Sequence, residues 1–337
     1  MSKKNSNVIL KNGFQEFKDL SSTYIDFKKK LESVKSKTFL VAISGGPDSL
    51  ALAALSKAYN YEKKLKFYYA LVDHKIRKNS TLEANAVKKL LKLYDIKLSI
   101  LTNKEKILKN IQSHARQIRY QMLMKHSLKK KAKIILTAHN LEDQVETFFI
   151  RLSRGSGLTG LSAMKKLSKL NNKTKLYRPL LDVKKKTLIK ISKIIFKKFF
   201  VDPSNKNKKY LRTKIRDLKK PLMKSGIDYD QIIKSINNLA SSKETLDNYF
   251  KRTFSEVIDK DKGIIKINLR KFNKYNHEIR MMIIKESIKS IKKNYYHPRS
   301  KKVMNLLNTI GTKKFKKATL GGCLFFVKKG HLCLKKE

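Results

Sequence analysis

The sequence predicts an α/β protein with a doubly wound parallel sheet, followed by a second, smaller and mostly helical domain. Between residues 38 and 152, short apolar runs alternate with longer helical patterns, which is typical of a parallel sheet covered by helices on both faces. A glycine pair directly follows the first apolar run. Beyond about residue 219 this alternation stops, and long amphipathic stretches at residues 227–258 and 277–291 predict helices instead. A short strand-like end is expected at residues 320–334.

The alternating region defines its elements in order. An amphipathic helix is expected at residues 14–34, after a polar lead-in. A last short strand is expected in the stretch Tyr177–Leu181, ending at Pro179. Between them we expect four strands, each followed by a helix: strands at 39–43, 66–72, 98–101 and 133–137, and helices at 48–59, 81–94, 106–130 and 141–152.

The loop behind the first strand is the clearest functional signal. It consists of Ser44, Gly45, Gly46, Pro47, Asp48 and Ser49. Glycines let a backbone approach a phosphate, and the N–H groups of the first helical turn point at it. No Lys follows the glycines, so the loop differs from the GxxxxGK[ST] loop and is predicted to hold the pyrophosphate of ATP. Asp48, in the first helical turn, could hold a divalent metal. The alternative is a plain strand–turn–helix junction.

Polar groups also follow the second and fourth strands, at the sheet edge where ligands of such folds bind. Asp73 and His74 follow the second strand, and His139, Asp143 and Glu146 follow the fourth. Asp143 and Glu146 share one helix face, so they could share Mg²⁺ with Asp48 or bind a cationic substrate; the alternative for Asp143 is a simple helix N-terminal charge. Arg116 and Arg119 lie one turn apart and could meet phosphate oxygens or belong to a solvated basic face.

Composition indicates a polyanionic partner. The 80 Lys and Arg against 26 Asp and Glu give a net charge of +54, part of which reflects a general excess of lysine. Aromatic residues stand among these cations and suit unpaired RNA bases, or form the second domain's own core: Phe272, Tyr275, Tyr295 and Tyr296. The two cysteines, Cys323 and Cys333, indicate neither a disulfide framework nor a zinc site. With no signal peptide or apolar run long enough for a membrane span, we expect a cytoplasmic protein.

Several motifs follow one another along the chain: SGGPDS (44–49), VDHKIR (72–77), HARQIRY (114–120), AHNLEDQVET (138–147), RGSGLTGL (154–161), YRPLL (177–181), DPSN (202–205) and LRTKIR (211–216). In this order they resemble the tRNA(Ile)-lysidine synthases, a family of N-type (PP-loop) ATP pyrophosphatases. The chain departs from the family at Lys75, where a glycine is usual, and at Thr213, where many members have asparagine.

The resemblance implies a two-step ligation on an isoleucine tRNA with a CAU anticodon. The wobble cytosine O2 attacks the α-phosphate of ATP, and the amine of L-lysine then displaces AMP from C2, giving lysidine and changing decoding from AUG to AUA. It also implies a catalytic domain at residues 1–218 and a basic tRNA-binding domain at 219–337. Catalytic roles are implied for Asp48, Asp143, Glu146, Arg116 and Arg212. ATP contacts are implied for the loop 44–49 with Asp73, His74 and His139, and a Mg²⁺ site for Asp48 and Asp143.

Two alternatives stay open at this point. One is another PP-loop ATP pyrophosphatase that activates a different carbonyl, as in small-molecule amidating ligases. The other is a non-catalytic RNA-binding relative. The oligomeric state also stays open, with a homodimer among the choices.

Overall fold

The computed structural model describes residues 3–63, 65–105, 107, 111–201, 210–261, 263–292, 298, 300–310, 312 and 315–337. The DPSN motif at 202–205 and the aromatic residues Tyr295 and Tyr296 lie outside the described residues. The chain divides into two compact units, Met1–Ala240 and Ser241–Glu337. The sequence-based division after residue 218 separates catalytic from tRNA-binding functions and stays a prediction.

The first unit is built on a six-stranded sheet with the order β3-β2-β1-β4-β6-β5. Neighbouring strands from β3 to β6 are parallel, and only the edge strand β5 runs antiparallel to its neighbour. The strands are β1 (Thr38–Ile43), β2 (Lys66–Asp73), β3 (Leu98–Thr102), β4 (Ile134–Leu136), β5 (Leu167–Lys169) and β6 (Lys175–Tyr177). The predicted parallel sheet is confirmed. The last short strand, expected to begin at Tyr177 and end at Pro179, covers Lys175–Tyr177 instead.

Helices cover both faces of this sheet. Its helices are α1 (Lys3–Lys11), α2 (Lys18–Glu32), α3 (Pro47–Glu62), α4 (Ser80–Lys92), α5 (Ile111–Lys129), α6 (Leu141–Leu152), α7 (Leu158–Leu161), α8 (Lys185–Phe196), α9 (Leu211–Asp217) and α10 (Lys219–Lys224). Along β1, Phe39 and Val41 join one core with residues of α1 to α4 and α8, whereas Leu40 joins a second core with Leu123 of α5. This alternation is what a doubly wound sheet requires.

One feature of the first unit differs from the sequence-based expectation. The lead-in expected to be only polar contains helix α1, because Ile9, Leu10 and Phe14 are fully buried against the main core. A third apolar cluster joins α6 to the start of α11 (Tyr229–Val257) through Leu141, Val145 and Ile236. This cluster holds α6, and the carboxylates on it, beside the sheet edge.

The second unit combines helices with a five-stranded antiparallel sheet, in the order β7-β8-β11-β10-β9. Its further elements are α12 (Leu269–Phe272), α13 (His277–Ile291), α14 (Ser300–Ile310), β7 (Ile258–Asp261), β8 (Ile264–Asn268), β9 (Lys317–Leu320), β10 (Cys323–Lys328) and β11 (His331–Lys336). The helix expected at 277–291 is confirmed. The sequence indicated strand character only near residues 320–334, so the extent of this sheet was missed.

None of the helices in the described part of the chain has the length and apolar character needed to cross a membrane.

Candidate active site

Contacts with neighbouring residues fix the backbone conformation of the loop between β1 and α3. Gly45 adopts φ +84°, and a Cβ at this position would lie 2.6 Å from Val87 Cγ2, so both conformation and space require glycine. The Phe200 N–H donates to the Gly45 carbonyl at 3.0 Å. Ser49 Oγ accepts the Ser44 N–H at 3.1 Å and donates to the Gly46 carbonyl at 2.9 Å. The loop is therefore shaped before any ligand arrives, and α3 begins within it at Pro47.

Asp48 is the charged group in this loop. Among the described residues its Oδ1 is buried and has no hydrogen-bond partner. Burial raises the pKa of Asp48 to about 6; the nearby charge of Lys185 opposes this rise, and that of Asp143 adds to it. A buried carboxylate oxygen without a partner is suited to a cation or to a bound ligand that brings one.

The N-terminus of α6 places Asp143 near Asp48. Asn140 and Asp143 form a capping box, in which Asn140 Oδ1 accepts the Asp143 N–H at 3.0 Å and Asp143 Oδ2 accepts the Asn140 N–H at 3.2 Å. The other oxygen of Asp143 accepts from Arg212 Nη2 at 3.3 Å. Both oxygens of Asp143 thus already have partners within the chain.

Glu146, one turn further along α6, is only 3 % exposed and lies between two arginines of α9. Its Oε2 accepts from Arg212 Nε and its Oε1 from Arg216 Nε, both at 2.6 Å, with a further contact from Arg216 Nη2 at 3.2 Å. The two arginines neutralise the buried charge of Glu146, and the contact holds Arg212 at the site. Arg216 was not among the residues expected from the sequence.

His139 lies among arginines from three parts of the chain. Its pKa is lowered to about 3, mainly by burial and also by the charges of Arg178, Arg116, Arg212 and Arg119, so the ring is neutral at physiological pH. Its Nδ1 is hydrogen-bonded to Thr137 Oγ1 at 2.9 Å. Four guanidinium groups around a neutral imidazole create a strongly positive region at the end of β4, suited to phosphate oxygens.

Arg178 is the arginine of this group that sequence reasoning did not assign. It is 7 % exposed, and its Nη1 donates to the Lys165 carbonyl at 2.7 Å and to Ser168 Oγ at 2.9 Å. Its Nε is buried without a partner among the described residues. An arginine directly before a proline in YRPLL was the only signal in the sequence.

The two residues behind β2 take different positions. The side chain of Asp73 is engaged locally, since its oxygens accept from the Lys75 N–H at 3.0 Å, Ser80 Oγ at 2.8 Å and Thr81 Oγ1 at 2.6 Å. Asp73 therefore fixes the start of α4, and its ATP contact stays a prediction. His74 lies beside Arg119, with Nε2 at 3.5 Å from Arg119 Nε, and burial lowers its pKa to about 4.

A cavity of about 460 Å³ opens next to these groups within the first unit. Both charge signs line it, together with the aliphatic side chains of Leu141 and Ile189. Its carboxylates are Glu142, Glu146, Asp228 and Asp230, and its cations are Lys184, Lys185, Lys186, Lys219 and Arg216. Some of these charges pair with each other, Lys184 with Asp230 at 2.7 Å and Lys219 with Glu142 at 3.3 Å. A lining that carries both charge signs suits a small zwitterion better than a purely anionic ligand.

A parallel sheet with a preformed glycine loop behind its first strand, and cations at the same edge, defines a nucleotide-binding protein of the PP-loop class. The model of the PP-loop domain family matches residues 20–222. A solved structure, the U34-tRNA thiolase NcsA from Methanococcus maripaludis, aligns with a TM-score of 0.56 at 21 % identity, over 66 % of this chain and 78 % of that chain, which shows the shared fold.

Curated relatives narrow the class. The tRNA(Ile)-lysidine synthase of Wolbachia pipientis wMel is 35 % identical over 84 % of this chain and 67 % of its own length. That of Rhodopseudomonas palustris is 39 % identical over 58 % of this chain and 57 % of its own length. The chain belongs to the tRNA(Ile)-lysidine synthase family. The predicted ATP-using ligase of tRNA modification is thereby confirmed, and the two alternative functions are not favoured.

Proposed function

We propose that the protein joins L-lysine to C2 of the wobble cytidine in an isoleucine tRNA with a CAU anticodon, through an adenylated cytidine, in the cytoplasm. The observation that carries the proposal is the placement of three groups at one sheet edge. These groups are the preformed loop 44–49, the arginines around His139, and the cavity lined by Glu146. They match the leaving group, the reacting phosphate and the amino acid of the two-step reaction.

In the first step, the cytosine O2 attacks the α-phosphate of ATP and pyrophosphate leaves. The N–H groups of the loop and of the first turn of α3 would hold the β- and γ-phosphates. Arg116 and Arg212, with Arg119 and Arg178, would stabilise the negative charge that develops on the α-phosphate. The positive region at the end of β4 supports this assignment, because these guanidinium groups are in place without a ligand.

Asp48 fits a Mg²⁺ ligand, since its Oδ1 is buried and without a partner among the described residues. When bound, Mg²⁺ would neutralise charge on the leaving pyrophosphate. Asp143 fits less well, because Arg212 and the Asn140 N–H already engage its oxygens. Over the described ranges there is no group of three or more metal-type side chains. This agrees with a site completed by phosphate oxygens, as is usual for Mg²⁺.

In the second step, the lysine side-chain amine attacks C2 and AMP leaves. We place lysine in the 460 Å³ cavity, where its carboxylate would meet Lys or Arg and its α-ammonium would meet a carboxylate. The attacking amine must lose a proton. Asp143 is better suited than Glu146 to accept this proton, because its contact to Arg212 is 3.3 Å, whereas two 2.6 Å contacts hold Glu146.

The test is lysine transfer by the purified full chain with ATP, Mg²⁺, radiolabelled lysine and unmodified tRNA carrying a CAU anticodon. We expect transfer together with release of AMP and pyrophosphate. Asp48→Ala should abolish tRNA-dependent pyrophosphate release and leave tRNA affinity within about twofold, because binding of tRNA depends mainly on phosphate contacts elsewhere. Asp26→Ala, at an exposed position on α2, is the matched control. Absence of lysine transfer by the unchanged protein would overturn the proposal.

A further inference from the structure

The sheet of the second unit has one face that its core does not use. Phe325 and Cys323 of β10 are buried in the core, with Leu332 and Leu334 of β11. Because side chains alternate along a strand, the intervening residues point to the opposite face, which we call the outer face. Its residues in the last three strands are Lys317, Thr319, Leu324, Phe326, Lys328, His331, Cys333 and Lys335.

An aromatic ring lies at the centre of this outer face. In the register, Phe326 is directly opposite Cys333 on one side and Lys317 on the other. Leu324, two residues before Phe326, is opposite Lys335 and Thr319. Phe326 and Leu324 are partly exposed, so they form an apolar centre that is accessible from one side.

Lysines surround that centre at a spacing suited to a nucleic-acid backbone. Lys317 lies one strand away from Phe326, at about 5 Å between Cβ atoms, and Lys328 and Lys335 lie about 7 Å away along the strand or diagonally. All three are exposed. The acids of the sheet lie at the other edge, where Asp261 pairs with Lys266 at 2.8 Å, so β9 to β11 carry only positive charge on the outer face.

We propose that the outer face over β9 to β11 is a stacking platform for an unpaired nucleotide of the tRNA substrate. The base lies on the ring of Phe326, and Lys317, Lys328 and Lys335 contact the flanking phosphates. A sheet with an aromatic centre and a basic rim is a recurrent way of holding single-stranded RNA, and each stacked base contributes about 1–3 kcal/mol. The inference rests on the proposed function, because it takes tRNA as the polyanion.

The absence of tryptophan from the chain makes the platform directly measurable. Phe326→Trp introduces one fluorophore, and we expect tRNA to quench its emission by half or more, because stacking on a base quenches indole. Tyr249→Trp, 52 % exposed on a helix of the same unit, is the matched control and should change little. Cooperative unfolding in urea checks that each variant is folded. A quenching of Phe326→Trp no larger than that of the control would overturn the inference.

A second measurement does not depend on the aromatic position. The triple variant Lys317→Gln, Lys328→Gln, Lys335→Gln should make the negative slope of log affinity against log salt shallower by about two to three. The reason is that each lost phosphate contact reduces the magnitude of this slope by about 0.7–0.9. Lys274→Gln, Lys301→Gln, Lys302→Gln removes the same charge from exposed positions elsewhere in the unit. Equal slopes for the two triple variants would overturn the inference.

Lysine transfer, assayed in parallel, separates the two proposals. Quenching and a reduced salt slope without any lysine transfer by the unchanged protein would overturn the proposed function and leave the platform standing. Transfer by the unchanged protein, with neither effect on RNA binding, would overturn the platform alone.

Discussion

The Glu146 network allows a sharp prediction about stability. Glu146→Gln keeps the shape of the side chain but removes its charge and turns one acceptor into an NH₂ donor that faces a guanidinium group. Two charge-assisted hydrogen bonds of 2.6 Å are lost or weakened. Arg216 then loses its carboxylate partner, and Arg212 keeps only the 3.3 Å contact to Asp143. Breaking one side of a buried pair costs about 3–5 kcal/mol. Because the arginine side chains are 38 % and 31 % exposed, water recovers part of this energy, and we expect a loss of about 2–3 kcal/mol.

The measurement is urea unfolding of the full chain, followed by circular dichroism and by hydrogen exchange in α6 and α9, which reports on the first unit. The matched control is Glu83→Gln, because Glu83 also meets an arginine through two contacts, to Arg77 at 3.1 and 2.7 Å, but is 38 % exposed. The control should lose less than about 1 kcal/mol. Equal losses for the two variants would refute the reasoning that burial gives the Glu146 network its strength.

Two further predictions concern the first unit. Lys75 adopts φ +53°, so Lys75→Gly should raise the free energy of unfolding by about 0.5–1 kcal/mol in the same urea assay. The control Lys78→Gly, at an exposed position without a positive φ, should lower the free energy of unfolding. A lower free energy of unfolding for both variants would contradict backbone strain at Lys75. The pKa of His74 is about 4 in the folded protein, below its ordinary value of 6.5. As the pH falls below 6.5, the unfolded chain therefore binds a proton that the folded protein does not bind, and the free energy of unfolding decreases. His74→Gln should therefore flatten the slope of unfolding free energy between pH 6 and 4.5 by about 1 kcal/mol per pH unit, and an unchanged slope would contradict burial of a neutral ring.

The first unit could be predicted well because its signals are local. An apolar run, a glycine pair and a helix in succession determine the positions of β1, the loop and α3. The effect of the family difference at residue 75 is also local. Lys75 adopts the left-handed backbone conformation of the turn although it replaces the glycine that is usual in the family. Elements with a weak pattern were missed, such as β5, whose three residues lie at an edge and show no apolar alternation.

The contacts of the candidate site were less predictable, because they join distant parts of the chain. Glu146 and Arg216 are 70 positions apart, and nothing in either local sequence indicates that they meet. Likewise, Arg178 looks like any basic residue until β6 places it beside His139. The sheet of the second unit was missed for a related reason: β8 and β11 pair across more than 60 residues, and their side chains alternate only over short runs.

The burial of α3 has a consequence for how the enzyme can move. Every residue from Ser49 to Tyr59 is buried, so this helix cannot shift without opening the main core. The pyrophosphate loop at its start therefore acts as a fixed reference point throughout the reaction cycle. Any closure around the substrates must come from less enclosed elements such as α9, whose arginines are about one-third exposed. In hydrogen exchange, the amides of α3 should open only with global unfolding, whereas those of α9 should open on their own.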